Sequence, residues 1–177
     1  MSDTLRYARA YTARSWAVLP VCAPVPWPPE PGRDVGCTLH RACAAPGKVP
    51  AIAWQVRQAF PPSREEVERW FGPRGLYHDA NICILLHPSR LVVVDCDSAP
   101  AVAEAEALGI PPGTPVASSG KGRHYYFALP PEAAHLSGRR TTKRGESHTL
   151  DVLAGGIVIA PPSRHASGRV YTWLIPP

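Results

Sequence analysis

Two aspartates close an apolar run, Leu91-Val-Val-Val-Asp95-Cys96-Asp97. Side chains two residues apart on a strand point to the same face, so Asp95 and Asp97 project together. Like charges held that close push each other toward protonation unless a cation lies between them. A hard cation with oxygen ligands, Mg²⁺ or Mn²⁺, satisfies both. The same residues also read as a strand that ends at Asp95, with Asp97 and Ser98 capping the next helix. A third acid, Asp151, sits inside the apolar run Thr149-Leu-Asp151-Val-Leu. A buried aspartate needs a partner: either a metal shared with Asp95 and Asp97, or an arginine such as Arg139 or Arg144. Three strand-borne carboxylates suit two-metal phosphoryl transfer.

Two further segments carry cations on a rigid backbone. Ser118-Ser-Gly-Lys-Gly-Arg-His124 leads into Tyr-Tyr-Phe. Gly120 and Gly122 let the backbone approach a ligand, while Lys121, Arg123 and His124 offer donors to an anion. This is not a Walker A loop, because a strand follows where that motif needs a helix; the plain alternative is a glycine-containing hairpin. Gly155-Gly-Ile-Val-Ile-Ala-Pro-Pro-Ser163-Arg164-His165 ends an apolar strand in a Pro-Pro turn that presents a hydroxyl and two cationic side chains, or simply a polar surface turn.

The thiols form a separate group. Cys37, His40 and Cys43 have the spacing Cys-x2-His-x2-Cys inside an otherwise irregular loop. This is knuckle spacing for Zn²⁺ that lacks one ligand; Cys22, Asp34 or His78 can complete it, and a metal-free loop with incidental thiols is the alternative. Cys83 and Cys96 alternate with apolar strand residues and read as core thiols.

The elements that must hold these residues follow from periodicity. Residues 3–15 read as a helix that Asp3 can cap, followed by a buried strand over 16–21. Residues 23–50 are rich in Pro and Gly and read as a loop. Ile52, Val56 and Phe60 at helical spacing predict a helix over 51–60. Ser63 and Glu66 form a capping box for another, with Val67, Trp70 and Phe71 on its apolar face. Asn81–Leu86 and Leu91–Asp95 read as strands joined by a turn of hairpin length, His87-Pro-Ser-Arg90. Ser98 caps a helix with Ala101, Val102, Ala105 and Leu108 inward, closed by Gly109. Strands follow over 116–119, 124–129, 148–153, 156–160 and 169–174. The order predicts an α+β domain, helices first and then a largely antiparallel sheet with one inserted helix.

Composition sets the frame. The chain has 177 residues, 45% of them hydrophobic, enough for a core in a single domain. The net charge of +5 tilts toward an anionic partner. It gathers in three runs: Lys121 to His124, Arg139 to Arg144, and Arg164 to Arg169. No stretch has the length of a membrane span and no signal pattern opens the chain, so it reads as cytosolic, a monomer by default, with its five Cys reduced.

Taken in order, these segments resemble the bifunctional primase-polymerase N-terminal domain of the archaeo-eukaryotic primase superfamily, found in phage and plasmid replication proteins. The matching pieces are Tyr11 to Val21, the Cys-containing loop from Cys37 to Pro50 with its Pro-Gly-Lys, Trp70, Asn81 to Leu85, and Val92 to Asp97. They continue through Gly120 to Phe127, Asp151 to Gly156, and Ala160 to Trp173. The chain departs at Val49, where family members often carry a histidine after Gly-Lys. The resemblance implies a small α/β subdomain beside an RNA-recognition-like, mostly antiparallel sheet that carries the acids. It implies Asp95, Asp97 and Asp151 as ligands of the catalytic Mg²⁺ or Mn²⁺. His124, helped by Lys121 and Arg123, would contact the incoming triphosphate, with Ser163, Arg164 and His165 nearby. The reaction implied is attack of a 3′-hydroxyl on the α-phosphate of a nucleoside triphosphate over a single-stranded DNA template, with pyrophosphate leaving. The ending suits a domain cut from a longer replication protein with a helicase following. Two other readings use the same residues: a non-catalytic single-stranded nucleic-acid-binding module with Tyr125 or Trp173 as stacking platforms, and a metal-dependent nuclease.

Overall fold

In a computed structural model, the protein is described over residues 2–40, 42–143 and 149–177. Arg144, part of one basic run, and His148, the expected start of a strand, lie outside these residues.

The N-terminal helix, α1, spans Asp3–Ala13. Its cap is Ser2, whose Oγ accepts from the Leu5 N–H at 3.2 Å. Asp3, expected as the cap, stands instead in the first turn beside Arg6 at 3.0 Å, where a carboxylate favours the helix dipole. Leu5, Ala8 and Tyr11 face inward. β1 (Ala17–Val21), the short β2 (Pro24–Val25) and β3 (Gly36–Cys37) follow. The helix expected over 51–60 is reduced to one 3-10 turn at Val56–Gln58. Prolines at 50, 61 and 62 bracket the segment, and ten residues are too few to nucleate a helix without a buried stripe. Ile52 and Trp54 pack inward, but Val56 and Phe60 are 53% and 70% exposed. α2 (Arg64–Phe71) carries the full capping box: Ser63 Oγ accepts from the Glu66 N–H at 3.2 Å, and the Glu66 carboxylate accepts from the Ser63 N–H at 2.9 Å. Arg9 of α1 and Glu68 of α2 pair at 2.6 Å.

Two antiparallel sheets follow. β4 (Asn81–Leu85) is the centre of a three-stranded sheet between β1 and β10 (Ile157–Ala160). β5 (Leu91–Cys96) is central in a six-stranded sheet with β6 (Val116–Ser118), β7 (Arg123–Ala128), β8 (Arg139–Lys143), β9 (Thr149–Leu153) and β11 (Thr172–Ile175), in the order β11-β6-β7-β5-β9-β8. The segments 81–86 and 91–95 are therefore not a hairpin. Arg90, at φ +52°, turns the chain out of one sheet and into the other. α3 (Ala99–Ala107) is inserted after β5 and capped by Ser98, with Ala101 and Ala105 inward; Leu108, expected inward, is 75% exposed at the helix end.

The faces are set by strand alternation. Ile82, Ile84, Val18, Val158 and Ala160 of the small sheet meet Val93, Ala117 and Tyr126 of the large one, with α1 and α2 closing the same core. Each Val or Ile among these contributes about 1.5–3 kcal/mol on burial. Cys83 and Leu85 face the opposite side of the small sheet, under the Cys-rich loop. Cys96, Tyr125 and Leu150 face α3. Cys83 and Cys96 are both buried, as core thiols should be. The architecture is α+β and largely antiparallel. Among the described residues no helix is long and apolar enough to cross a membrane.

Candidate active site

Pairing register places three of the singled-out residues in one row. On β5, Asp95 stands opposite His124 of β7 on one side and Asp151 of β9 on the other. Directly paired residues share a face, and this is the face that Val93, Tyr126 and Leu153 turn toward the inter-sheet core. The row sits at the end of that core, where the apolar side chains give out.

His124 Nε2 approaches Asp95 Oδ1 to 3.2 Å, an ion-pair distance without hydrogen-bond alignment. The Asp95 side chain is 24% exposed and that of Asp151 is 1% exposed. Arg139 of β8 pairs with Asp151 Oδ2, the arginine alternative raised by the sequence. Burial drives the Asp95 carboxyl upward, but contact with His124 and the charges of Lys48 and Arg139 outweigh it and hold it below the ordinary carboxylate value. Asp97 lies one residue past the end of β5 and is exposed. Its charge joins those of Asp151 and Asp95 in raising the Arg139 pKa, behind the hydrogen bond to Asp151. Burial, then Asp95 and Asp97, likewise raise the Tyr171 hydroxyl. The three acids thus share one electrostatic neighbourhood.

Asp95 Oδ1, Asp151 Oδ1, His124 Nδ1 and the hydroxyl of Tyr126 are buried and have no hydrogen-bond partner among the described residues. Buried polar atoms without hydrogen-bond partners are costly, and those of His124, Asp95 and Asp151 belong to one row across the sheet. The carboxylate oxygens fit a hard divalent cation. The ligand atoms of Asp95, Asp97 and Asp151 do not all lie within 4.8 Å of one another. Among the described residues, the His/Cys/Asp/Glu set whose ligand atoms all lie within 4.8 Å of one another is a different one.

The glycine-rich turn packs its backbone onto this site. A Cβ on Gly122 would fall 1.7 Å from the Cys96 carbonyl, and one on Gly120 would fall 2.3 Å from the ring of His165. Tyr171 stands between the two histidines, its ring centroid 5.8 Å from His124 and 5.9 Å from His165. Burial first, then the charges of Lys48, Lys121 and Arg169, hold His165 below the ordinary imidazole value.

Three expected nucleotide contacts are oriented elsewhere. Arg123 alternates away from His124, to the α3 face, and pairs with Glu106 at 2.5 Å. Ser163 is 2% exposed and its hydroxyl is taken by the backbone of Ile82, at 2.9 Å from the N–H and 3.1 Å from the carbonyl. Arg164 turns to Asp79, at 3.4 Å, and lies over the ring of Trp27 at 5.8 Å. Tyr125 is 2% exposed, and Trp173 packs among Tyr11, Trp16 and Tyr126, so neither is a stacking platform. Lys48 was not among the expected site residues, yet its charge reaches both Asp95 and His165. Its signal in the sequence was the Pro-Gly-Lys that ends the Cys-rich loop.

The ligand set within 4.8 Å is Cys22, Cys37, His40 and Cys43. It completes the knuckle spacing with Cys22, not Asp34 or His78. Zinc–thiolate bonds of about 2.3 Å in a tetrahedron separate sulfurs by about 3.8 Å, and Cys22 and Cys43 are 3.9 Å apart. Burial opposes ionisation of Cys37, but donors from the Leu39 and His40 backbone, Cys43 and the His40 ring outweigh it and bring it down to about 7. Burial pushes Cys22 up to about 12. One thiol poised to ionise, among others that a cation would ionise, fits Zn²⁺.

No curated protein matches the chain. The family model described as bifunctional DNA primase/polymerase, N-terminal, matches residues 8–177, and the chain belongs to that family.

Proposed function

We propose that the protein is a template-dependent nucleotidyltransferase of the archaeo-eukaryotic primase fold that synthesises or extends primers in phage or plasmid DNA replication. Family membership supports DNA primase or polymerase chemistry. The observation that carries the reading to these residues is the row His124, Asp95, Asp151, in which each acid keeps one buried oxygen without a hydrogen bond. Asp95, Asp97 and Asp151 would hold Mg²⁺ or Mn²⁺, which supplies Lewis-acid neutralisation of phosphate charge. Cys22, Cys37, His40 and Cys43 would hold a structural Zn²⁺.

The chain's own part is positioning. His124, held by the register of β7 on β5 and by Tyr171, orients a phosphate. Lys121 and His165 line the same side. Arg139 keeps Asp151 oriented through its ion pair, while Ser163 and Arg164 fix the turn that presents His165. A 3′-hydroxyl attacks the α-phosphate and pyrophosphate leaves, so the donors are needed most where charge builds up on the departing oxygens. Single-stranded DNA is the template and nucleoside triphosphates are the substrates; a helicase domain fits a longer form of the protein. The test is primer extension on a DNA template with Mg²⁺ or Mn²⁺, reading product sequence. Products complementary to the template are expected; untemplated products, or shortening of the DNA without nucleotides, would overturn the reading.

A further inference from the structure

The residues on either side of Lys48 are fixed from two directions. Gly47, at φ +85°, offers its carbonyl to the Asn81 amide at 3.2 Å. The same amide donates to the Arg164 carbonyl at 2.8 Å, and its oxygen accepts from the Arg164 N–H at 2.8 Å. A Cβ on Gly47 would lie 3.1 Å from the Arg164 carbonyl, so this backbone approaches closely the residue just before His165. On the other side, the Val49 carbonyl accepts from the N–H of Cys22 at 2.9 Å, and Pro50 bridges Val21. Lys48 thus rides on a short stretch pinned at one end to the thiol–imidazole cluster and at the other to the His165 turn. Its backbone N–H is taken by the Ala45 carbonyl at 3.0 Å, while the residue itself is exposed.

Cations are distributed unevenly along the row. Arg139 stands at the Asp151 end and is engaged with that carboxylate. At the His165 turn, Gly47 beside Lys48 abuts the Arg164 carbonyl and Gly120 beside Lys121 packs on the His165 ring, and the charges of both lysines reach His165. A chain of phosphates anchored at the carboxylates and running past His124 would meet these lysines, whereas the opposite course meets an arginine already paired. A flexible ammonium on a clamped backbone can follow phosphate oxygens without moving the loop.

The geometry points to Lys48 as a phosphate-binding residue for the incoming nucleoside triphosphate, delivered to the His165 side of the site by the Cys-rich loop. This rests on the nucleotidyl-transfer reading above. The experiment is equilibrium binding of an α,β-methylene nucleoside triphosphate with Mg²⁺ to wild type, Lys48→Ala, Lys48→Arg and Asp95→Asn, without DNA. Lys48→Ala is expected to weaken binding about tenfold or more, the scale of one charge-assisted hydrogen bond, and Lys48→Arg to restore most of it. In the unmodified protein, the same analogue should protect Lys48 from acylation, read by mass spectrometry. Wild-type affinity in Lys48→Ala, or unchanged acylation of Lys48, overturns the assignment while leaving the polymerase reading intact if Asp95→Asn loses binding. No binding by wild type would sink both.

Discussion

Asp95 of β5 faces Asp151 of β9 directly across the strand pair, two carboxylates from segments 56 residues apart brought into one register step. Two acids so placed repel unless the site supplies positive charge. Arg139 supplies part of it at Asp151, and Lys48 part of it at Asp95. One oxygen of each acid still lacks a hydrogen-bond partner among the described residues, which is why the pair reads as half of a cation site.

Asp151→Asn keeps the shape and removes the charge. Incorporation should fall on the order of a thousandfold, the several kcal/mol that cation stabilisation of phosphate charge provides. Far-UV circular dichroism should stay that of wild type. A variant that folds and keeps more than a tenth or so of the activity would show that Asp151 serves Arg139 and not a metal.

Zinc analysis tests the thiol cluster. Protein purified without added zinc should carry a stoichiometric amount, and Cys22→Ser should lower it as much as Cys37→Ser. Chelation should reduce the melting temperature, because binding free energy at such sites is folding free energy. Full zinc content in Cys22→Ser would remove Cys22 from the ligand set.

The two faces of β7 should separate in kinetics. His124→Gln should raise KM for the nucleotide and lower kcat/KM by about tenfold to a hundredfold. Arg123→Ala, which breaks the exposed pair with Glu106 and the contact with Tyr125, should leave KM near wild type and cost about 1 kcal/mol of stability. Equal effects on KM would mean that Arg123 swings across to the site.

Glu66 links stability to pH. The Ser63 N–H first, then Arg57, hold its carboxyl below the ordinary glutamate value. A depressed folded-state pKa contributes stability that is present above the unfolded value, about 4.3, and is lost as pH falls through the folded one. Glu66→Gln should therefore melt lower than wild type at neutral pH, and the two melting curves should converge in acid. A constant offset down to pH 3 or so would assign the effect to packing.

Much of this was legible in the sequence because the signals were local. The capping box at Ser63 and Glu66, the cap at Ser98, and the strand-end acids Asp95 and Asp97 depend on short-range spacing. The partners of the acids did not follow from spacing: Asp151 and His124 meet Asp95 through strand order, which periodicity does not encode. The hairpin expected at 87–90 fails for the same reason, since turn length cannot say that Arg90 carries the chain into a second sheet. Alternation on β7 sets Arg123 opposite to His124, and a donor motif read as a unit hides that. Cys22 could be named only as one of three candidates, because its place depends on Val49 closing the loop back onto β1.

Whether Asp95 carries nucleotidyl transfer is decided by incorporation of labelled nucleotides on single-stranded DNA with Mn²⁺ or Mg²⁺, with and without a primer, in wild type beside Asp95→Ala. Wild type should give products under at least one metal and Asp95→Ala none, while both proteins bind DNA. Absence of products from wild type that still binds DNA, or undiminished products from Asp95→Ala, would contradict it.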